Sequence, residues 1–563
     1  MSFYPVSSLR TVGDARFPDA DLGAVMVAVP VSALVWPVRE GSGGDGRSAM
    51  VVAGAATITS GEPVVWLKTA AVAPAKVRRD GRVQALGRPC DHARLGSAEV
   101  ELDAVCGPDT IEQVAAGVHL SGKIQAKLAR EMSVAFTIRA TMLMTLMPDA
   151  DATEVMATLL GDLLAVPWRR EHEVVSGTVL SRWRTAIGPE PVQELMRRWQ
   201  AATGPGAGPD GIDVGAGLRV GAIDGTVTRM PDTVANRRRY GTAGRSGSGY
   251  PQIRSLHAND AFTRASRAVV TGPAGGDKAQ AEQALLDRIL TEHASAFTKN
   301  QVWIMDRNFP GVPRIARMIT KTHVLIRVKS DLQLRRIGGY LSDGSWLARI
   351  TGGAMSLIVR VIEYYVSLDA ALTPELFCLI TDLLDHHTHP ARLLADAYRW
   401  RWDGTETALR EAKSTINAAG PGTGAILRSA TPDLIDQEHA AWTIATELVR
   451  ATLRSATTIA APFVKGPRAG QAVQTRQLSF TTARRTVLAT VRAGTATASL
   501  PSPTRTAAHH RALHQIAKAR VTTDRNRHRA RKIKSSQPFG HAPAGTTTRT
   551  IPAQTHICGP LAT

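Results

Sequence analysis

Between Leu218 and Lys329 the apolar positions follow two rhythms in turn. "LRVGAIDGTVT", "YPQIRSLHA" and "ASRAVVT" are short runs rich in apolar and β-branched residues, closed by turn formers, and each predicts a strand. "DKAQAEQALLDRILTEHA" spaces its apolar residues for a helix; "QVWIMD" is a wholly apolar strand, "GVPRIARMIT" a helix, and "THVLIRVK" another strand. Three strands followed by helix, strand, helix, strand predict an α/β fold with a mixed sheet and helices on its faces. Next, "LRRIGGYLSDGSWLARITGGAMSLIVRVIEYYV" is strand-like throughout, with Gly turns, and reads as a β insertion at about residues 330–370; "LFCLITDLL" returns to the core.

Upstream the pattern is helical. "MSVAFTIRATMLMTLM" predicts a buried helix, "DATEVMATLLGDLL" a helix opened by an Asp cap, and "PEPVQELMRRW" one with Pro in its first turn. "SRWRTAIG" in this module could touch DNA or simply pack, and packing is the better reading. "ATGPGAGPDGIDVGAG" is a Gly/Pro linker and the clearest boundary. The resulting plan is an N-terminal extension over 1–105, a helical domain over 106–201, a linker over 202–217, a catalytic domain over 218–460, and a tail over 466–563.

Charge changes the picture. The 563 residues carry a net charge of +20 and a pI near 10.4, which points to a polyanionic partner. From Gly466 onward sixteen lysines and arginines face a single acid, Asp524, with "DRNRHRARKIK" at the centre, so a largely disordered tail that meets phosphate is expected. Four scattered cysteines form no Cys-x-x-Cys pair, which argues against zinc ribbons and a disulfide framework and fits a reducing cytoplasm. The apolar run Leu22 to Val38 is short for a span and contains Pro30, so no membrane association is expected. A Walker-type phosphate loop is missing, which disfavours a nucleotide cofactor. "DLLDHHTHP" imitates a metal cluster, but adjacent His386 and His387 cannot share a helix face.

Candidate chemistry lies where acids meet strand ends. Asp224 closes the apolar run "VGAI", and Asp306 closes "VWIM" ahead of a turn. The carboxyl ends of strands are where open α/β sheets hold ligands. A third acid comes from "YRWRWDGTETALREAK", Tyr398 to Lys413. At about 100° per residue, Glu406 and Lys413, seven apart, share one helix face at the rim of an apolar stripe of Leu409, Ala412 and Ile416, while Glu411 falls on the solvent side. The mundane alternative is that Asp403 and Glu406 form a capping box. Three convergent carboxylates repel one another unless a cation intervenes. Two Mg²⁺ ions, with Mn²⁺ as a substitute, suit oxygen ligands and phosphodiester displacement. Lys413 would then hold a phosphate, and the nearby arginines and tryptophans would grip DNA backbone and stack on bases. The run Arg237, Arg238, Arg239 is a further candidate for phosphate contact.

These residues resemble the DDE transposases of bacterial insertion sequences, in the group marked by a Tyr-Arg-Glu-Lys signature and an RNase H-like core. "AIDGTVTRMPDTVANRRRYG" is similar to the first-Asp block, "IMDRNFPG" to the second, and "YRWRWDGTETALREAKSTI" to the third, with a β insertion between the second Asp and the Glu. The resemblance implies Asp224, Asp306 and Glu406 as catalytic metal ligands and Lys413, Tyr398 and Arg401 as DNA-binding residues. The signature's spacing departs at one point: four residues, rather than three, separate Arg401 from Glu406. In an unbroken helix this would turn Tyr398 and Arg401 by about 100° relative to Glu406; a local bulge or break at Gly404 would absorb it.

The resemblance further implies cutting at the ends of a mobile element through a DNA hairpin, joining to target DNA, double-stranded DNA as partner, a homodimer holding paired ends, and a cytoplasmic, nucleoid-associated location in a bacterium. Two alternatives stand beside it: a catalytically inactive DNA-binding relic, and an RNase H-like nuclease without strand transfer.

Overall fold

The computed structural model describes residues 26–30, 49–57, 63–71, 93–124, 132–160, 176–203, 212–242, 249–275, 278–309, 311–328, 332–367, 375–413, 426–464, 469–498, 502–521, 527–528, 551–552 and 554–559. The chain divides into two compact units, Met1–Arg88 and Pro89–Thr563. The first holds a three-stranded antiparallel sheet of β1 (Met26–Pro30), β2 (Ala49–Thr57) and β3 (Pro63–Ala71), with β3 in the middle.

The second unit is built on a mixed sheet. Its strands are β4 (Arg219–Arg229), β5 (Gln252–Asp260), β6 (Ser266–Pro273), β7 (Gln301–Met305), β8 (His323–Arg327), β9 (Arg335–Tyr340), β10 (Trp346–Gly352), β11 (Met355–Ser367) and β12 (Glu375–Thr381). They lie in the order β6-β5-β4-β7-β8-β12-β11-β10-β9. β4, β5 and β6 form an antiparallel meander, while β7 and β8 join parallel to β4. That is an RNase H-like core, and the strand and helix order expected for residues 218–328 is present. β9 to β11 hold the strands expected of the insertion, and they extend the core sheet, because β12 pairs antiparallel with both β8 and β11.

Alternation along the strands sorts side chains to two faces. Ile223, Trp303, Met305, Val324 and Ile326 pack under Leu285, Leu286 and Ile289 of a helix at Lys278–Glu292 and Ile315 of one at Val312–Ile319. Val220, Ala222, Val302, Ile304 and Leu325 face the other way, against Leu394, Ala395 and Tyr398 of the helix Ala391–Tyr398.

A helical layer completes the unit: α1 (Ser97–Cys106), α2 (Thr110–Ala116), α3 (Val134–Leu146), α4 (Ala152–Leu160), α5 (Gly177–Ile187) and α6 (Glu190–Ala202). Continuing in chain order, α7 is Val234–Tyr240, α8 Lys278–Glu292, α9 Val312–Ile319, α10 Ala391–Tyr398, α11 Ala408–Glu411, α12 Pro432–Thr457, α13 Phe480–Ala498 and α14 Ser502–Lys518. α12 is buried along nearly its whole length and is packed by α1, α3, α6, α13 and α14. α1 lies in the stretch assigned to the N-terminal extension, yet Ala98 and Leu102 belong to this core. In "SRWRTAIG", Trp183 and Arg184 are buried, and Arg184 bonds Gln437, Ser429 and the Leu434 carbonyl, so the segment packs.

The expectation of a disordered tail is not met over residues 469–498 and 502–521. Leu478, Phe480, Ala483, Val487, Val491, Leu513, Ile516 and Ala517 repeat at helical spacing and are buried in the same core. The basic run Asp524 to Lys534 lies largely outside the described residues, apart from a short pair of strands, β13 (Arg527–His528) and β14 (Ile551–Pro552). Beyond it β15 (Gln554–Ile557) pairs with β11 over Tyr364–Ser367. Among the described residues, no helix is long and apolar enough to cross a membrane, and Cys106, Cys378 and Cys558 are free thiols.

Candidate active site

The parallel register of β4 and β7 sets Ile223 opposite Met305. The next residues are Asp224, in the middle of β4, which continues to Arg229, and Asp306, just past the end of β7. Both follow the point where the parallel pairing stops, although only Asp306 closes its strand as expected. Asp224 has the parity of Ala222, so it faces the helices that carry Tyr398 and Glu406. Its Oδ1 accepts the Gly225 N–H at 2.8 Å, and Asp306 Oδ1 accepts the Arg307 N–H at 2.6 Å.

The extra residue before Glu406 has a clear structural fate. After α10 the chain runs as a π-helix over Trp402–Thr407, then returns to α-helix at α11. A π turn absorbs one inserted residue without rotating the helices on either side. Tyr398 and Arg401 consequently stay on the cleft side. The Tyr398 hydroxyl donates to the Met305 carbonyl at 3.4 Å, one residue before Asp306, and Arg401 Nη1 lies 3.4 Å from Asp224 Oδ2.

Gly404 is what lets the π turn approach the sheet. A Cβ there would come within 2.8 Å of Ala261 Cα and 3.0 Å of the Ala222 methyl. Its carbonyl accepts from Asn259 Nδ2 at 2.9 Å. The capping box is not formed: Asp403 pairs with Arg264 at 3.1 Å, and Glu406 stays exposed. Glu411 does not reach solvent as expected, because Arg264 Nη1 draws it inward at 2.6 Å.

The electrostatics tie the cleft together. Burial pushes the Asp224 carboxyl up to about 6, Arg401 and the Gly225 N–H oppose this, and the charges of Glu406 and Asp306 add to it. Burial lowers the Lys413 ammonium, against the pull of Glu406 and Asp224. Burial also pushes the Tyr398 phenol up to about 12. Asp224, Asp306, Glu406, Arg401 and Lys413 therefore share one neighbourhood.

Among the described residues, no three His, Cys, Asp or Glu side chains are gathered so as to hold a metal ion. The donor set nonetheless fits a hard divalent cation. It is all carboxylate, its members repel one another, and Arg401 meets Asp224 at a distance longer than a charge-assisted hydrogen bond. The histidines of "DLLDHHTHP" go to separate partners, His386 to Ser342 and His389 to the Val214 carbonyl.

Arg237, Arg238 and Arg239 project from α7 and are exposed, with Arg237 paired to Asp232. Asn236 is buried and bonds the carbonyls of Pro231 and Ser429, a structural role. Sequence reasoning missed Arg264 and Asn259. Both lie where β5 turns into β6, and their partners are distant in the chain, so only the helical spacing of Asp403 and Glu411 could have hinted at a shared cation.

Residues 215–417 match a family model described as the transposase DDE domain. The match covers a little over a third of the chain and includes Asp224, Asp306, Glu406 and Lys413. No curated protein matches this chain. Among solved structures, the chain is similar to a piggyBac transposase synaptic complex with hairpin DNA, at 12% identity and a TM-score of 0.39, over 74% of this chain and 85% of that one. At that TM-score the likeness carries no weight for what this chain does.

Proposed function

We propose that the chain is a DNA transposase that cuts the ends of a mobile element and joins them to target DNA, with Asp224, Asp306 and Glu406 as the ligands of two Mg²⁺ ions. The observation that carries this reading is the placement of Asp224 and Asp306 where the parallel pairing of β4 and β7 stops, electrostatically coupled to Glu406, inside the segment that matches a transposase DDE domain. When bound, the ions supply charge neutralisation at the scissile phosphate and activation of the attacking oxygen.

This chain's own residues do the rest. The carboxylates would fix the reacting centre beside β4 and β7, and Asp224, largely ionised at neutral pH despite its raised pKa, would be ready to hold a cation. Lys413 meets a non-bridging phosphate oxygen, Arg401 braces Asp224, and exposed Trp402 offers a face for an unstacked base. Arg238 and Arg239 contact backbone phosphate beside α7. A hairpin intermediate and a homodimer holding paired ends complete the proposal.

The purified chain, Mg²⁺ and labelled duplex from the DNA flanking the gene test it. Nicked, hairpin and joined products are expected, and Asp224→Ala should give none. Binding without nicking by the unaltered chain would instead identify a relic, and nicking without joined products a plain nuclease.

A further inference from the structure

The π turn that carries Glu406 is an irregular element and needs outside support. Its principal support is Arg264. This residue sits in the turn between β5 and β6, holds a left-handed backbone at φ 62°, and is buried. Its guanidinium spans the π turn from end to end: Nη2 meets Asp403 at 3.1 Å near the start and Nη1 meets Glu411 at 2.6 Å one turn beyond the end. Eight residues separate these acids. In a plain α-helix they would stand about 80° apart, but a π turn that absorbs one residue leaves the phase of seven, within about 20° of one line. One fork can therefore hold both only when the turn is π. Arg450 locks the arrangement from behind, donating to the Arg264 carbonyl at 3.1 Å and the Ala408 carbonyl at 2.7 Å.

We infer that Arg264 is a positioning residue for Glu406: by clamping Asp403 and Glu411 it selects the π register and so sets the third carboxylate against Asp224 and Asp306. The inference rests on the carboxylate reading above and names a group that reading does not contain. Without the clamp, the inserted residue relaxes into ordinary helix and Glu406 swings from the cleft by up to about 100°.

Mn²⁺ binding to the full chain, followed by the electron paramagnetic resonance of the free ion, separates the two ideas without any need for turnover. Arg264→Gln, Arg264→Lys and Glu411→Gln should each weaken Mn²⁺ binding, by about 10–100-fold for the first and less for the others, the scale seen when a group orienting a metal ligand is removed. Lys retains the charge without the fork, so partial rescue by Arg264→Lys is part of the expectation. Glu411→Gln, which leaves Arg264 and its contact with Asp403 in place, decides the matter if both Arg264 variants fail to fold. Wild-type Mn²⁺ affinity in any folded variant of the three, with Asp224→Ala still abolishing binding, overturns the clamp alone. Unchanged affinity in Asp224→Ala overturns the carboxylate reading and the clamp with it.

Discussion

Arg139 and Arg264 do the same work in different surroundings. Arg139, on α3 and fully buried, bonds Glu99 through Nε at 3.0–3.1 Å and Glu112 through Nη2 at 2.6 Å, and Arg94 lies within 3.5 Å of both acids. Two cations face two anions, and the cluster ties α3 to α1 and α2. Arg264 likewise holds two acids, but both belong to a helix whose next exposed carboxylate, Glu406, joins an unbalanced set. In the cleft Asp224, Asp306 and Glu406 face Arg401 and Lys413, and burial, with a smaller push from Glu406 and Asp306, raises the Asp224 pKa. The paired charges of the helical layer tie helices together, whereas the cleft acids are the set proposed above to take a cation.

Substitutions can break that comparison. The largest effect should come from the cleft: Asp306→Ala and Glu406→Ala should each reduce nicking to background while a gel shift shows DNA binding intact. If one of them nicks normally, the three carboxylates do not act as a set. Next comes Arg139→Met, which leaves Glu99 buried without its main partner and should cost about 3–5 kcal/mol in urea unfolding. Its folded fraction should bind Mn²⁺ as the unaltered chain does, and weakened binding there would erase the distinction between the two arginines.

A smaller effect concerns pH. Asp224 has a folded pKa of about 6, above its ordinary 3.8, so between those values the folded chain keeps a proton that the unfolded chain has lost. Stability from this group is full below the window and falls as pH rises through it. Asp224→Asn should remove that fall and, in chelator, stabilise the protein at pH 7 by about 1–3 kcal/mol. Divalent cation should stabilise the unaltered chain and leave Asp224→Asn little changed. Because Asp103 is also raised to about 6, the test is the difference between the two chains, and an equal fall in both would deny the raised Asp224 pKa. Smallest is the surface term. Arg238→Ala and Arg239→Ala should each lower the salt slope of DNA binding by about 0.9 if each meets a phosphate.

Much of the cleft was legible because Asp224 and Asp306 each follow an apolar run, although β4 itself continues past Asp224 to Arg229. Asp224 and Asp306 needed only the parallel register to become neighbours. The departure before Glu406 was visible as one residue too many, and Gly404 was the residue able to absorb it. Its support was not legible, since Arg264 reaches Asp403 and Glu411 across a turn that carries no spacing signal. The tail was misjudged for a different reason. Net charge dominated the reading of residues 466–563, although Leu513, Ile516 and Ala517 keep a helical period within it. Truncation after Pro501 would therefore strip α14 from a packed core, and any test of the basic run must cut beyond Val521.

β15 and the helices α13 and α14 also bear on how the molecule is made. Residues 554–557 fill part of the flank of β11, and the layer around α12 draws on segments from both sides of the core sheet. A nascent chain that has delivered both aspartates and Glu406 still lacks these pieces. In such a partial chain the backbone of Tyr364–Ser367 is an open template, and the apolar faces of α1 and α3 lack part of their cover. A product stopped soon after Lys413 would therefore be expected in inclusion bodies rather than as a shorter folded protein.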